Sequence, residues 1–362
     1  MILNKKRRLT GFTIIELVVV IAMIAILFAI TAVSYNSIHK NAIAAGLQSD
    51  LNNASDLLRV DQTKSSTGSF PATLDESNGG DGVSSSPDTT FNYVVNNTNT
   101  PKTFCLTATK EGRSYHITQE GKPSIGPCPM LYYDIAVPTS YPGSGTTLFD
   151  LSGNVNNGTL KNGVAYDANN GGALSFDGVD DYVDAGKGAS LDIPNALTVV
   201  SWIKFNAIDY VNSTGSLFSI AGKGNPDRAV PTKGWSFIYD NRNNKTSFNY
   251  LCFGNLNGGY TGGGNNFAGI NVTPTLQNGI WYQLGFTISQ TEAKLYLNGV
   301  QQGATKTITN LSLSDTATSL TIGSAFAGRF KGLISNIKIY NVVLNANELN
   351  QGFSDSRSRY GL

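Results

Sequence analysis

The stretch KKRRLTGFTIIELVVVIAMIAIL, residues 5–27, decides the N-terminal fold of this 362-residue chain. Four basic residues precede an apolar run that continues to Val33, and about 20 such residues can span a bilayer as a helix. The basic flank predicts that the N-terminus stays in the cytoplasm. Glu16 interrupts the run, although an ionised group in the bilayer core costs roughly 2.5–3.5 kcal/mol. We therefore expect Glu16 to have a dedicated partner.

A second, amphipathic half extends this helix. The apolar run passes into SYNSIHKNAIAAGLQSDLNNASDLLRV without the small-residue cleavage site of a secretory signal. Within that segment, apolar residues recur at helical spacing at Leu47, Leu51, Ala54 and Leu58. The pattern predicts one long helix over residues 12–60.

The first 60 residues resemble the prepilin signature of type IV pilins and secretion pseudopilins. The signature consists of a short basic leader, a glycine, an aromatic residue and a glutamate at the fifth mature position. It implies removal of leader 1–11 by cleavage between Gly11 and Phe12, followed by methylation of the new N-terminus. It also implies that Glu16 pairs with the Phe12 amine of an adjacent subunit during filament assembly. A plain signal anchor with an accidental glutamate is the alternative.

The same resemblance implies partners and a location. The partners are other pilin subunits, contacted through the N-terminal helix, together with a prepilin peptidase and the inner-membrane assembly machinery. The chain would cross the cytoplasmic membrane once before assembly and lie in an extracellular pilus filament afterwards.

Residues 61–130 are predicted to form a pilin head. A loop rich in serine, glycine and aspartate is followed by three short strands, FNYVVNN, TFCLTATK and SYHITQE. Cys105 and Cys128 are expected to form a disulfide because an exported chain meets oxidising surroundings. Two unpaired thiols are the alternative.

Residues 131–351 read as strand after strand, ending before a C-terminal tail at 352–362. Asn-Gly pairs at 278–279 and 298–299 favour antiparallel hairpins, and about 220 residues of this kind fit one two-sheet sandwich. The order of ALSFDGVDDYVDAG, LTVVSWIKF, WYQLGFTI, KLYLNGVQQG and FKGLISNIKIYN resembles laminin-G-like, concanavalin A-type jelly rolls. The fold class is therefore an α+β pilin (a long N-terminal helix plus a small antiparallel sheet) followed by an all-β jelly-roll sandwich.

Composition argues against two classes of function. Charged residues make up 14% of the chain and the net charge is +1, whereas nucleic-acid binding needs clustered Lys and Arg. Glycoside hydrolysis needs two carboxylates across one bond, yet Glu292 is the one glutamate in 131–345. No histidine follows His116, which excludes a Ser/His or Cys/His nucleophile in that region. Asp180 and Asp181 are expected on opposite faces of a strand. We therefore predict no enzymatic activity.

Calcium is the one cofactor that the sequence suggests. Asp150 in DLSGNVNNG and Asp180 in FDGVDDYVD offer the oxygen ligands that calcium prefers, and laminin-G-like domains often hold such an ion. The equal alternative is that both residues form turns. Trp235, Tyr239, Tyr250 and Tyr260 are candidates for facing a sugar, although strand aromatics more often fill a core. We also expect Cys252 to pack in the core as a small apolar residue.

These features predict a type IV pilus subunit, minor or at the tip, whose lectin-like domain recognises a glycan or a surface protein. Two alternatives stay open: a major pilin with a decorative domain, and a pseudopilin of a type II secretion or DNA-uptake machine.

Overall fold

The computed structural model describes residues 13–206, 217–224, 234–240, 247–253, 267–271, 276–308, 313–325 and 328–362. Helix α1 spans Ile14–Lys64 and begins with a capping box between Thr13 and Glu16. The sequence predicted a helix over 12–60. The second half of α1 buries the predicted stripe, with Leu47, Leu51, Ala54 and Leu58 each at most 1% exposed.

A four-stranded antiparallel sheet packs on this half of α1. Its strands are β1 (Thr90–Asn96), β2 (Thr103–Lys110), β3 (Arg113–Thr118) and β4 (Ser124–Ile125), in the spatial order β1-β2-β3-β4. Phe104, Leu106 and Ile117 from the sheet join the helix stripe in one hydrophobic cluster. We call α1 and this sheet the helix–sheet unit.

The remaining strands form a sandwich of two antiparallel sheets. Over the described residues, the first sheet has the order β15-β14-β13-β12-β19-β10-β7-β6. The second has the order β18-β17-β16-β11-β22-β9-β8, and β5 also pairs with β22. Their bounds are β5 Leu131–Asp134, β6 Thr147–Leu148, β7 Gly158–Lys161, β8 Ala165–Asp167, β9 Ala173–Asp177, β10 Tyr182–Asp184, β11 Leu197–Phe205, β12 Leu217–Gly224, β13 Gly234–Asp240, β14 Ser247–Phe253, β15 Phe267–Asn271, β16 Trp281–Ile288, β17 Glu292–Leu297, β18 Val300–Thr307, β19 Leu320–Ile322 and β22 Lys331–Tyr340. A separate small pair consists of β20 Ser324–Ala325 and β21 Gly328–Arg329.

One of the two predicted Asn-Gly hairpins is present. Asn298 and Gly299 have φ values of 50° and 75° and join β17 directly to β18. Positive φ at both central residues is what a two-residue type I′ turn requires. Asn278 and Gly279 instead precede β16, and the Gly279 amide donates to the Phe205 carbonyl oxygen at 2.8 Å.

The second sheet is covered on both faces. Its inner face contributes to the main core, which contains Phe205, Phe286 and Ile337. Its outer face is covered by helix α2 (Ala346–Ser356) and the turn after it. Burial on both sides explains why every residue of β16 is buried.

The predicted boundary between a sandwich and a tail at 351/352 falls inside α2. Asn345 caps this helix through a capping box with Glu348. Beyond it, the ring of Tyr360 stacks on Trp202 with centroids 3.9 Å apart and is 5% exposed. Residues 352–362 therefore complete the sandwich and do not form a free tail.

Candidate functional site

The first half of α1 is exposed and apolar. Every side chain described between Ile14 and Ile38 is exposed, and the mean hydropathy over Ile14–Thr31 is 3.0. This segment is long and apolar enough to cross a membrane, a property shared by membrane anchors and signal sequences. None of its side chains is buried against the described part of the chain. A fragment starting at His39 therefore retains the described hydrophobic clusters of both the helix–sheet unit and the sandwich.

Glu16 lies at the start of this apolar segment. Its Oε2 accepts hydrogen bonds from the backbone amide and the hydroxyl of Thr13, each at 2.8 Å. The carboxylate therefore has donors within its own chain. Gly11 and Phe12 lie outside the described residues, and the predicted cleavage there stays a prediction.

Cys105 and Cys128 form a disulfide, the pairing that the sequence favoured. Cys105 lies in β2 and Cys128 lies three residues before β5, so the bond joins the helix–sheet unit to the start of the sandwich. The Cys128 amide also donates to Thr107 Oγ1 at 2.8 Å. The side chain of Cys252 lies outside the part of the chain that the structure describes.

Asp150 is a buried carboxylate with a full set of protein donors. Its Oδ1 accepts from the amides of Tyr132 at 3.0 Å and Ser152 at 2.9 Å. Its Oδ2 accepts from the Ser152 hydroxyl at 2.7 Å and the Asn156 amide at 3.0 Å. This is the turn-forming role that the sequence offered as the alternative to calcium binding. A calcium ligand at Asp150 would have to give up some of these bonds.

Asp180 belongs to a separate acidic group. One carboxylate oxygen from each of Asp177, Asp180 and Asp181 lies within 4.8 Å of the others. Burial and the neighbouring carboxylates raise the pKa of Asp181, whose side chain is buried. The prediction that Asp180 and Asp181 point to opposite strand faces is wrong, because both precede β10 and Asp180 lies in a bend. Calcium binding by Asp180 stays a prediction.

Two of the aromatic candidates belong to the core. Trp235 and Tyr239 in β13 are 2% and 1% exposed, and Trp235 packs on Phe286 of the facing sheet. They fill the sandwich and cannot contact a ligand from outside. The side chain of Tyr250 and all of Tyr260 lie outside the described residues.

A cavity that the sequence did not predict lies where the helix–sheet unit meets the sandwich. Its volume is about 260 Å³, and its walls come from β4, from α2 and from the outer face of the second sheet. Its polar and aromatic lining includes Tyr132, Trp202, Gln283, Asn336, Lys338 and Arg359. They come from four strands and the C-terminal turn, so no local sequence motif predicts that they lie together. An isolated lysine between two buried isoleucines in NIKIYN was the one available signal.

Comparison with known proteins identifies the sandwich. Residues 177–350 match the family model described as the concanavalin A-like lectin/glucanases superfamily. A search of curated proteins finds no match to the chain.

Several solved structures are similar to part of the chain. The ligand-binding domain of botulinum neurotoxin serotype D, solved with N-acetylneuraminic acid, is 13% identical with a TM-score of 0.45; the alignment covers 63% of this chain and 51% of that one. Domain 4 of AbnA, an extracellular arabinanase from Geobacillus stearothermophilus solved with arabinotriose, is 18% identical with a TM-score of 0.42, covering 61% and 96%. The chain thus spans about half the length of the neurotoxin domain. Similarity at this level says nothing about what the present chain binds. The family match and the two-sheet topology together identify the C-terminal sandwich as a laminin-G-like, concanavalin A-like jelly-roll domain.

Proposed function

We propose that this chain is a type IV pilus subunit, minor or at the tip, whose jelly-roll domain recognises a surface glycan or protein. The observation that carries the proposal is the division of α1 into an exposed apolar half and a half packed on a small sheet. In the sequence, the prepilin-like residues Gly11 and Phe12 come just before this exposed half, and Glu16 lies in its first turn.

The exposed half of α1 requires a cover. Each Å² of apolar surface left in water costs about 25 cal/mol, and contiguous apolar patches of this size mark interaction or membrane surfaces. The cytoplasmic membrane supplies the cover before assembly, and neighbouring helices supply it in the filament. Glu16 then exchanges its donors on Thr13 for the Phe12 amine of an adjacent subunit, which fixes the register between subunits.

The jelly roll serves binding in this proposal, and the chain is not an enzyme. Folds of the concanavalin A type support both binding and catalysis, so function must come from a site. Asp177, Asp180 and Asp181 are the one three-residue acidic group among the described residues, and all three lie between the end of β9 and the start of β10. A glycosidase would need two carboxylates on opposite sides of one bond. Hydrolysis of a panel of polysaccharides would overturn this part of the proposal.

The minor or tip position follows from bulk, because a jelly roll of about 220 residues on every subunit would crowd a filament shaft. A major pilin would instead be the most abundant subunit in sheared filaments. A pseudopilin would be encoded beside secretion or DNA-uptake genes. Copy number per filament and gene neighbourhood separate these alternatives.

The decisive experiment uses two variants in the native strain. Deletion of residues 131–362 is expected to leave filaments but reduce attachment to cells or polysaccharide. Glu16→Ala is the matched control, because it should leave cleavage intact but reduce incorporation into filaments. Mass spectrometry of surface protein should show a mature chain that starts at a methylated Phe12. Exported protein that retains Met1 would refute the pilin assignment, and full attachment by the deletion strain would refute the adhesive role.

A further inference from the structure

The floor of the junction cavity is built by strand register. Residues directly opposite each other on neighbouring strands share a face of the sheet. One row across the second sheet contains Val200, Lys338 and Tyr132, and the next contains Gln283, Trp202, Asn336 and Asp134. The first row places Lys338 in the middle of a covered sheet face. Its Nζ lies over the ring of Tyr132, 4.3 Å from the centroid.

The carboxylates around the cavity already have donors. Asp134 accepts from Arg359 Nη1 at 3.0 and 3.1 Å and from the Tyr132 hydroxyl at 3.2 Å. Glu348 accepts from the Asn345 amide at 2.7 Å, and Asp355 accepts from the Gln351 amide group at 2.8 Å. These three carboxylates therefore already accept hydrogen bonds from within the protein.

Lys338 differs from these carboxylates. Over the described residues, its ammonium group has no hydrogen-bond acceptor and no carboxylate oxygen within 4.0 Å. Lys122 on the rim likewise has no ion-pair partner in the described part of the chain. The cavity lining carries three cationic and three anionic side chains, but two of the cations, Lys338 and Lys122, form no ion pair with the described residues. Burial lowers the pKa of Lys338 to about 8.

Two amide side chains in the row next to that of Lys338 also have unused hydrogen-bonding capacity. Gln283 is 6% exposed, and the described residues provide no partner for its side-chain amide. Asn336 is 8% exposed and makes only a marginal contact of 3.5 Å from Nδ2 to the Tyr360 hydroxyl. Buried polar groups normally have partners in the protein, in ordered water or in a ligand. A cation and two amides that converge on one cavity therefore indicate a polar ligand.

We propose that the junction cavity binds a small hydroxylated carboxylate of the size of one sugar ring. Its carboxylate contacts Lys338, and its hydroxyl groups bond to Gln283 and Asn336. The volume of about 260 Å³ lies just below the range of roughly 300–1,000 Å³ typical of sites for drug-sized ligands, which limits the occupant to about one ring. This site lies between the two parts of the chain and does not depend on the proposed role in a pilus.

The test is calorimetric titration of the full chain in a detergent without a sugar headgroup. The probes are D-glucuronate, D-glucose and a disaccharide that ends in glucuronate. We expect glucuronate to bind at least about tenfold more tightly than glucose, since a charge-assisted hydrogen bond is the stronger kind. Binding of the disaccharide would identify the ligand as the end of a glycan, and binding of the free acid alone would identify a free metabolite.

Three variants locate the site. Lys338→Met should lower affinity for glucuronate about tenfold or more. Lys204→Met is the matched control, because Lys204 also lies over a ring, Trp281 at 5.2 Å, but does not line the cavity. It should bind like the parent. Gln283→Leu should also weaken binding, and it decides the matter if Lys338→Met does not fold.

Three results would overturn the proposal. One is the absence of heat at about 20 mM glucuronate, which would leave a cavity filled by water only. The others are equal affinity for glucose and glucuronate, and equal affinity of Lys338→Met and Lys204→Met.

Discussion

Asp150 decides between two explanations of the same loop. If it organises the turn, Asp150→Asn should destabilise the protein by the same amount with or without calcium. If it binds calcium, as the sequence also allowed, most of the loss should vanish when the ion is removed. The four donors around its two oxygens favour the first outcome.

The magnitude follows from those four bonds. Hydrogen bonds to a charged group contribute about 1.5–3 kcal/mol each, and a donor left buried without an acceptor costs about 1–3 kcal/mol. Asparagine keeps one oxygen, so it can retain two of the bonds. Its amide group then faces either the pair of donors at Oδ1 or the pair at Oδ2. We expect a loss of about 3–5 kcal/mol in the free energy of unfolding.

The assay is urea unfolding of residues 39–362, followed by tryptophan fluorescence, in calcium and in chelator. Asp184→Asn is the control. Asp184 is half-buried and accepts one local bond, from the Gly186 amide at 2.9 Å, so its loss should be about 1 kcal/mol or less. The reasoning fails if Asp150→Asn costs less than about 1 kcal/mol in both buffers, or if its cost disappears in chelator.

Three further predictions concern the sandwich. Tyr360→Ala should lower the free energy of unfolding by about 3–5 kcal/mol because it removes a ring stacked on Trp202. Tyr360→Phe should lower it by about 1 kcal/mol because it removes the hydrogen bond to Ser335. If residues 352–362 were a free tail, neither variant would change urea unfolding. Burial lowers the pKa of Lys338 to about 8, so the unfolded chain binds more protons between that value and about 10.4. The free energy of unfolding should therefore rise by about 1–2 kcal/mol from pH 7 to 9.5 relative to Lys338→Met, and parallel curves would contradict this. Asp180→Asn should raise the melting temperature in chelator because it relieves repulsion within the acidic group; a fall would show that the carboxylate is stabilising.

Local patterns predicted most of the elements. The stripe from Leu47 to Leu58 and the apolar run before it predicted α1, because both the 3.6-residue period and the hydropathy are properties of a short window. β11 has the bounds of LTVVSWIKF, and β13 has those of GWSFIYD. In both cases glycine, proline or polar residues flank a β-rich run.

Elements without such local signals were missed. β5 and β7 are four-residue strands that gain stability only from pairing. Residues 352–362 were also predicted to be a tail. A short amphipathic helix gives only a weak signal in the sequence, because its stability depends on the face that it covers. That face is created by Trp202 in β11, more than 150 residues earlier.

The junction cavity shows most clearly why candidate sites resist prediction from one sequence. The ion pair that closes its wall joins Asp134 to Arg359, 225 residues apart. Nothing near either residue predicts the other, since the contact depends on the pairing of β5 with β22 and on how the C-terminal turn packs. Lys338 is meaningful only in that context. On an exposed strand face its charge would be ordinary, whereas under α2 and β4 it is a half-buried cation over the Tyr132 ring that has no hydrogen-bond acceptor among the described residues.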